Sequence, residues 1–125
     1  MNVFYILLTS IALSFSQVAI PYESVASAFE ANDYSAISQM GEQKILVDIL
    51  GTESVYSQSQ ASLILKDFFA KKPNGTFNFV FKGKETAEGA FAIGNYSVTN
   101  EKFRVTIHFK KAKEEFKIES LTIEK

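Results

Sequence analysis

The chain has 125 residues, no cysteine and a formal net charge of -1 at pH 7. The absence of cysteine excludes disulfides, thiolate nucleophiles, iron–sulfur clusters and zinc sites built on thiolates. Most of the basic residues lie in the second half of the chain, where they alternate with acids, as in KKAKEEFKIE. This interleaving is typical of solvated strands and turns, so no nucleic-acid partner is expected.

The N-terminal segment has the pattern of an export signal. Val3 to Leu13 form an apolar run that is too short to span a membrane, and Ser14 and Ser16 supply the small residues of a cleavage site. We therefore predict a signal peptide over residues 1–16 and a single exported domain over residues 17–125, periplasmic or secreted. No cysteine is available for a lipid anchor. Because no Lys or Arg precedes the apolar run, the alternative is a buried N-terminal helix.

Two consecutive helices are predicted between Ile20 and Met40. Val25, Ala28 and Phe29 share one stripe of the first helix. Asp33 is placed to cap the second, shorter helix, because its carboxylate can accept a hydrogen bond from a free backbone N–H group.

A β-rich run, KILVDIL, extends from Lys44 to Leu50 without clean alternation. Such a run predicts a strand that is either covered on both faces or located at an oligomer contact. Gly51 ends the run, and TESVYS, residues 52–57, is predicted to be a short edge strand.

The next helix has clear start and stop signals. Ser57 can cap it and Gln60, three residues later, can bond back to Ser57, while Pro73 ends it. Between these residues a single apolar stripe recurs at helical spacing. The stripe consists of Ala61, Ile64, Leu65, Phe68 and Phe69.

Four antiparallel strands are predicted after Gly75, because apolar and polar residues alternate. Phe77, Phe79 and Phe81 are assigned to one face of the first of these strands. In the last strand the apolar residues change parity, so a β-bulge is predicted near Glu119-Ser120. The strands are TFNFVFK, GAFAIGNYSV, KFRVTIHFK and EFKIESLTIEK.

This order of elements predicts an α+β fold in which the helices cover the apolar face of a curved antiparallel sheet. The helices precede the four-stranded meander in the chain. Phe68 and Phe69 are then expected on the concave face of the sheet, among the phenylalanines of the strands.

The element order resembles the nuclear transport factor 2-like superfamily, which includes SnoaL-like and ketosteroid-isomerase-like proteins. More closely, the chain is similar to a bacterial exported family known as domain of unknown function 4783. The segments that carry this resemblance are ILGTESVYSQSQASLILKDFFAKKP, FKGKETAEGAFAIGNYSV, FRVTIHFKK and IESLTIEK.

The resemblance covers nearly the whole mature chain and implies a cone, in which a strongly curved antiparallel sheet wraps around three N-terminal helices. It implies no catalytic residue, because no activity or catalytic residue is established for that family. Superfamily relatives include isomerases, dehydratases and pure binding or dimerisation modules, so the fold alone does not decide the function.

One candidate for acid–base catalysis emerges from the residues. Asp48 interrupts the apolar run of its strand, and a carboxylate among apolar neighbours suits proton transfer. Tyr56 or Tyr96 would act as hydrogen-bond donor to the substrate. The alternative, which strand parity favours, is that Asp48 faces solvent while Val47 and Ile49 face the core.

Two further sets of residues are candidates for binding. The ligand-binding candidates, which would line the interior of the cone, are Tyr34, Tyr56, Phe68, Phe69 and Tyr96. The interface candidates, which share the polar face of one strand, are Arg104, Thr106 and His108. A single histidine without cysteine predicts no metal site and no metal cofactor.

Three functions are compatible with these features. The first is an exported non-enzymatic module that binds a small apolar or amphipathic ligand in the cone, or a protein through the sheet. The second is an isomerase- or dehydratase-like enzyme with Asp48 as its base and a tyrosine donor. The third is a structural module that forms a homodimer or contacts another exported protein through the sheet face around His108. No stable membrane anchor is expected.

Overall fold

The computed structural model of the protein describes residues 18–125, so the predicted signal peptide, residues 1–16, lies outside the described residues. Within them the chain forms helices that pack on one face of a mixed sheet. The elements are α1 (Tyr22–Glu30), α2 (Tyr34–Gln39), β1 (Gly41–Ile49), β2 (Thr52–Ser57), α3 (Gln58–Lys71), β3 (Thr76–Lys82), β4 (Gly89–Val98), β5 (Glu101–Ala112) and β6 (Glu115–Glu124).

The helix starts follow the predicted capping chemistry. The Asp33 carboxylate accepts a hydrogen bond from the Ala36 N–H at 3.0 Å and so caps α2. Ser57 and Gln60 form the reciprocal capping box of α3, because each side chain bonds to the backbone N–H of the other residue. Both predictions are confirmed.

The sheet has six strands in the order β2-β1-β6-β5-β4-β3. All neighbouring strands are antiparallel except β1 and β6, which run parallel. The predicted antiparallel sheet is therefore corrected at this pair. The parallel pairing is feasible because α3 and the rest of the meander separate the two strands in the chain and supply the long crossover.

A bulge in β6 brings its apolar residues onto the core face, as predicted. His108 pairs with Ser120 and Phe109 pairs with Ile118, so Glu119 is the extra residue. Ile118 and Leu121 are consequently both buried, although their positions in the chain have opposite parity.

A second bulge, in β3, contradicts a prediction. Phe79 pairs with Gly94 and Phe81 pairs with Ile93, which leaves Val80 as the extra residue. Phe77 is buried on the concave face, whereas Phe81 is turned to the opposite face and is 48% exposed. The assignment of Phe77, Phe79 and Phe81 to one face was therefore wrong.

Strand β1 alternates between a buried and an exposed face. Ile45 and Val47 are buried against the helices, while Leu46 between them is 37% exposed. Of the two alternatives for this strand, cover on both faces was wrong, and the location at an oligomer contact stays a prediction. Leu46 belongs to the face of the sheet turned away from the helices, hereafter the outer face.

The core lies between the helices and the concave face of the curved sheet. Phe68 and Phe69 of α3 are 4% and 3% exposed, and they lie among aromatic residues of the strands. Their predicted place on the concave face is confirmed.

Candidate functional site

The interior of the cone is filled by the protein's own aromatic side chains. Phe29 of α1 stacks on Phe77 of β3 with ring centroids 4.7 Å apart. Phe68 contacts Phe103 edge to face at 5.3 Å, and Phe69 contacts Tyr96 in the same way at 5.5 Å. Side chains packed at this density leave little volume for a ligand at the centre of the cone.

The hydroxyl of Tyr96 has structural partners on three separate segments. It donates a hydrogen bond to the Lys72 carbonyl at 2.7 Å and accepts bonds from the Asn32 side-chain amide at 2.9 Å and the Gly75 N–H at 3.1 Å. The side chain is fully buried. Tyr96 thus joins the α1–α2 turn to the end of α3, and its hydroxyl is committed to these contacts.

Asp48 lies beside the β1–β2 turn on the outer face. It pairs with Glu53 of β2, and its carboxylate accepts a hydrogen bond from the Gly51 N–H at 3.0 Å. Val47 is buried and Ile49 half-buried, so the solvent-facing alternative agrees with the structure.

The structure does not bring Asp48 together with a tyrosine donor. Tyr96 is on β4, three strands away in the sheet order, which corresponds to about 14 Å across the sheet. Tyr56 is closer along the sheet, but it pairs with Ile45 and so lies on the opposite face from Asp48. A carboxylate and a phenol on opposite faces cannot act on one substrate group.

The other ligand-binding candidates occupy separate places. Tyr34 is half-buried at the start of α2, and the Lys66 ammonium lies 5.9 Å from its ring centre. Tyr56 and Phe68 line a cleft between the β1–β2 hairpin and α3. Phe69 and Tyr96 belong to the packed interior. The five predicted residues therefore do not form a single pocket.

The interface candidates do share a face, as strand alternation predicted. Arg104, Thr106 and His108 lie on the outer face of β5, and Arg104 is 3.9 Å from Glu124 of the neighbouring strand. His108 is exposed and stacks on Phe91 of β4 with ring centroids 5.5 Å apart and planes inclined by 21°.

His108 and Phe91 are part of a line of side chains that crosses the outer face. Strand register places these residues side by side on five adjacent strands, and we call them the outer row. Phe81 of β3 extends it, with its ring 5.5 Å from that of Phe91. The outer row consists of Val55, Leu46, Ser120, His108 and Phe91.

The outer row is partly apolar and accessible to solvent. Val55 is 57% exposed, Phe91 39% and Leu46 37%, and Phe81 beside them is 48% exposed. Sequence reasoning missed most of this surface. The alternation of KILVDIL could have placed Leu46 outside, but the bulge that turns Phe81 outward has no signal in the alternating TFNFVFK segment.

Two groups in the described residues have clearly perturbed acid–base properties. Hydrogen bonds from Lys125 and Lys72 lower the pKa of Glu101, which lies at the start of β5. Burial, and to a lesser extent the charge of Glu85, raises the pKa of Tyr22, whose ring lies under the Lys82 ammonium at 4.6 Å. Glu101 is two strands away from Asp48 in the sheet order, and Tyr22 packs against Phe79 and Phe109, so neither group supplies Asp48 with a catalytic partner.

Within residues 18–125, no three His, Asp or Glu side chains are grouped as a metal site would require. In the same part of the chain, none of the helices has the length and apolar character needed to cross a membrane.

The comparisons with known proteins agree on the family and the fold. A family model described as "domain of unknown function (DUF4783)" matches residues 22–124. The crystal structure of a DUF4783 family protein from Bacteroides ovatus is 26% identical, with a TM-score of 0.77, and the alignment covers 88% of this chain and 97% of that one. A DUF4783 family protein from Bacteroides uniformis is also 26% identical with a TM-score of 0.77, and the coverage is 86% and 97%.

More distant structures share the fold alone. An NTF-2 like protein of unknown function from Silicibacter pomeroyi is 12% identical with a TM-score of 0.60, and the alignment covers 98% of each chain. None of the curated proteins compared with the chain matches it. The predicted α+β class and the predicted nuclear transport factor 2-like fold are confirmed.

Proposed function

The chain belongs to the DUF4783 family and has a nuclear transport factor 2-like fold, and on this premise we propose that it is an exported, non-enzymatic module that binds a second copy of itself through the outer face of its sheet. The observation that carries the proposal is the outer row, a partly apolar line of side chains in register across the sheet, in which Val55, Leu46 and Phe91 are exposed. Exposed apolar patches of this kind are typical of protein contacts.

The size of the outer face suits a stable contact. Six strands give five inter-strand spacings, or about 24 Å across the sheet, and the ten residues of β4 extend about 34 Å along it. The product is roughly 800 Å², which is the area that one partner buries in an interface of standard size.

The charges of the outer face favour a second copy as the partner. Arg104 lies 3.9 Å from Glu124 on one side of the outer row, and Lys110 lies 3.9 Å from Glu42 on the other. An ion pair therefore lies on each side of the row, and Asp48 and Glu53, which pair across β1 and β2, add two carboxylates to the same face. Two such faces can pack together without like-charge repulsion at these pairs, whereas a strongly charged face would repel its own copy.

The interior of the cone supports a non-enzymatic role. Its centre is occupied by aromatic side chains, and Asp48 does not share a face with Tyr56 or Tyr96. An isomerase-like reaction needs a base and a donor on the same substrate. The outer face therefore offers the better-supported binding surface.

The proposal is tested by the mass of the particle in solution. We expect the protein recovered from an expressing bacterial host to be dimeric by sedimentation velocity at concentrations up to about 1 mM. The double variant Leu46→Lys/Phe91→Lys places two like charges in the outer row and should be monomeric at the same concentrations, because burying unpaired ammonium groups is strongly unfavourable.

A matched control uses an exposed leucine away from the sheet. Leu63 on α3 is 63% exposed, so Leu63→Lys adds a charge without touching the outer row and should remain dimeric. A native protein that stays monomeric throughout the concentration range would exclude the second copy as partner. If the double variant remained dimeric, the contact between the two copies would have to lie on a surface other than the outer face.

The exported location is proposed from residues 1–16 and has its own test. We expect the protein in the periplasm of an expressing host to begin at Gln17, as measured by intact mass spectrometry. Ser16→Phe should leave the precursor uncleaved, because the residue before the cleavage site must be small, whereas Ser16→Ala should be processed normally. Equal processing of both variants, or protein confined to the cytoplasm, would contradict the assignment.

A further inference from the structure

A cleft of about 260 Å³ lies on the inner side of the sheet, between the β1–β2 hairpin and α3. Its walls are apolar or aromatic except for Thr52, and its mouth carries the charged pair Asp67 and Lys71. Phe68 is buried at its base, whereas Ile64 and Tyr56 are half-buried beside it. The cleft is on the other side of the sheet from the outer row and is independent of the proposed dimer contact.

The cleft exists because β2 is an edge strand that extends beyond the cover of the helices. The first four residues of β2 are exposed, and only Tyr56 and Ser57 at its end are half-buried. Helix α3 reaches the hairpin through its Ile64 and Phe68 side, which leaves a gap between the hairpin and the last turns of the helix.

Leu50 at the tip of the hairpin is an unusual residue for its conformation. The loop between β1 and β2 has two residues, Leu50 with φ of 54° and Gly51 with φ of 96°. Such tight turns favour Asn, Asp or Gly at both positions, because a residue with a bulky side chain is strained at positive φ. Leu50 nevertheless occupies the first position and is 49% exposed beside the cleft.

A local departure from turn chemistry without a packing gain points to a function of the side chain itself. Leu50 contributes an apolar wall to the cleft, which an asparagine at the same position would remove. The strained leucine and the unfilled apolar cleft are therefore two observations that point to the same ligand site.

The mouth of the cleft determines which polar group fits there. The Lys71 ammonium lies 3.2 Å from the Asp67 carboxylate, and the side chains are 71% and 67% exposed. A charged ligand group would be attracted by one partner and repelled by the other. A neutral hydroxyl complements both, because it donates to the carboxylate and accepts from the ammonium.

The volume limits the length of the ligand. At about 30 Å³ for each water-sized group, the 260 Å³ cleft holds about nine non-hydrogen atoms. We propose that this cleft binds a neutral amphiphile with one medium-length alkyl chain, whose chain lies against Leu50 and Tyr56 and whose hydroxyl group meets the Asp67–Lys71 pair.

The test titrates octan-1-ol, whose size matches that limit, into the isotope-labelled protein and follows backbone NMR shifts. We expect saturable shifts at Ile49 to Thr52, Tyr56 and Ile64, with a dissociation constant on the order of 0.1–1 mM. Octanoate and octylammonium should bind at least about tenfold more weakly, because each introduces an unbalanced charge at the mouth.

The variant Leu50→Asn removes the apolar wall and also relieves the backbone strain, so it should fold at least as well as the native chain. We expect it to weaken octan-1-ol binding at least about tenfold, while its melting temperature stays equal or rises. The control Leu63→Asn, on the exposed side of α3, should bind like the native protein.

Three results would overturn the proposal. Absence of saturable shifts in the cleft at the solubility limit of octan-1-ol would exclude the site. Tighter binding of octanoate or octylammonium would exclude the neutral head group. Equal weakening by Leu50→Asn and Leu63→Asn would show that the effect does not arise in the cleft.

Discussion

Replacing Phe68 with alanine is expected to lower the free energy of unfolding by about 3–5 kcal/mol. The side chain is 4% exposed and its ring contacts Phe69, Tyr96 and Phe103 at centroid distances of 5.5, 5.9 and 5.3 Å. Truncation removes the transfer energy of the ring and leaves a cavity that neighbouring rings, fixed by their own packing, can only partly close. Urea denaturation followed by circular dichroism measures the loss.

An exposed leucine on the same helix provides the control, because its replacement by alanine changes the helix without removing a buried side chain. Leu63 is 63% exposed, so Leu63→Ala should change the free energy of unfolding by no more than about 0.5 kcal/mol. Equal unfolding midpoints for the Phe68→Ala and native proteins would contradict the filled interior, and with it the argument that the centre of the cone has no room for a ligand.

Structural features formed by residues that are close in the chain could be predicted from local signals in the sequence. The capping box of α3 joins Ser57 to Gln60, three residues apart, and its chemistry can be inferred from the two residue types. The bulge at Glu119 was predictable because Ile118 and Leu121 are both apolar at opposite parity, and only an extra residue places both in the core.

Long-range features of the sheet could not be inferred in the same way. The bulge at Val80 lies in a segment whose alternation is regular, so Phe81 was assigned to the same face as Phe77 and Phe79 although it lies on the outer face. The parallel pairing of β1 with β6 depends on where the meander meets the hairpin. Neither residue types nor periodicity within one strand carry this information.

The dependence on long-range contacts also explains why Tyr96 was predicted as a ligand donor and why the outer row was missed. Tyr96 was a candidate ligand donor because a tyrosine with one polar atom near a core is ambiguous between a ligand contact and an internal hydrogen bond. Its three partners are 64, 24 and 21 residues away in the chain. The outer row also assembles residues from separate strands, so its continuity becomes apparent only from the register.

The hydroxyl of Tyr96 should therefore contribute to stability, and Tyr96→Phe is expected to lower the free energy of unfolding by about 1–3 kcal/mol. The change keeps the ring in the core but leaves the part-buried Lys72 carbonyl and the buried Gly75 N–H without the partner they have in the native protein. Urea denaturation measures the loss, and hydrogen exchange at Gly75 should accelerate in the variant because its amide is no longer held by the hydroxyl.

The matched control is Tyr34→Phe, which removes a hydroxyl from a half-buried tyrosine outside this network and should change the free energy of unfolding by no more than about 0.5 kcal/mol. If Tyr96→Phe were as stable as the control and Gly75 exchanged at the native rate, the hydroxyl would not be held by its three contacts. The hydroxyl would then be available to donate a hydrogen bond to a ligand, and the cone interior would again be a candidate ligand-binding site. A loss confined to Tyr96→Phe instead assigns the phenol to joining the α1–α2 turn, the end of α3 and β4.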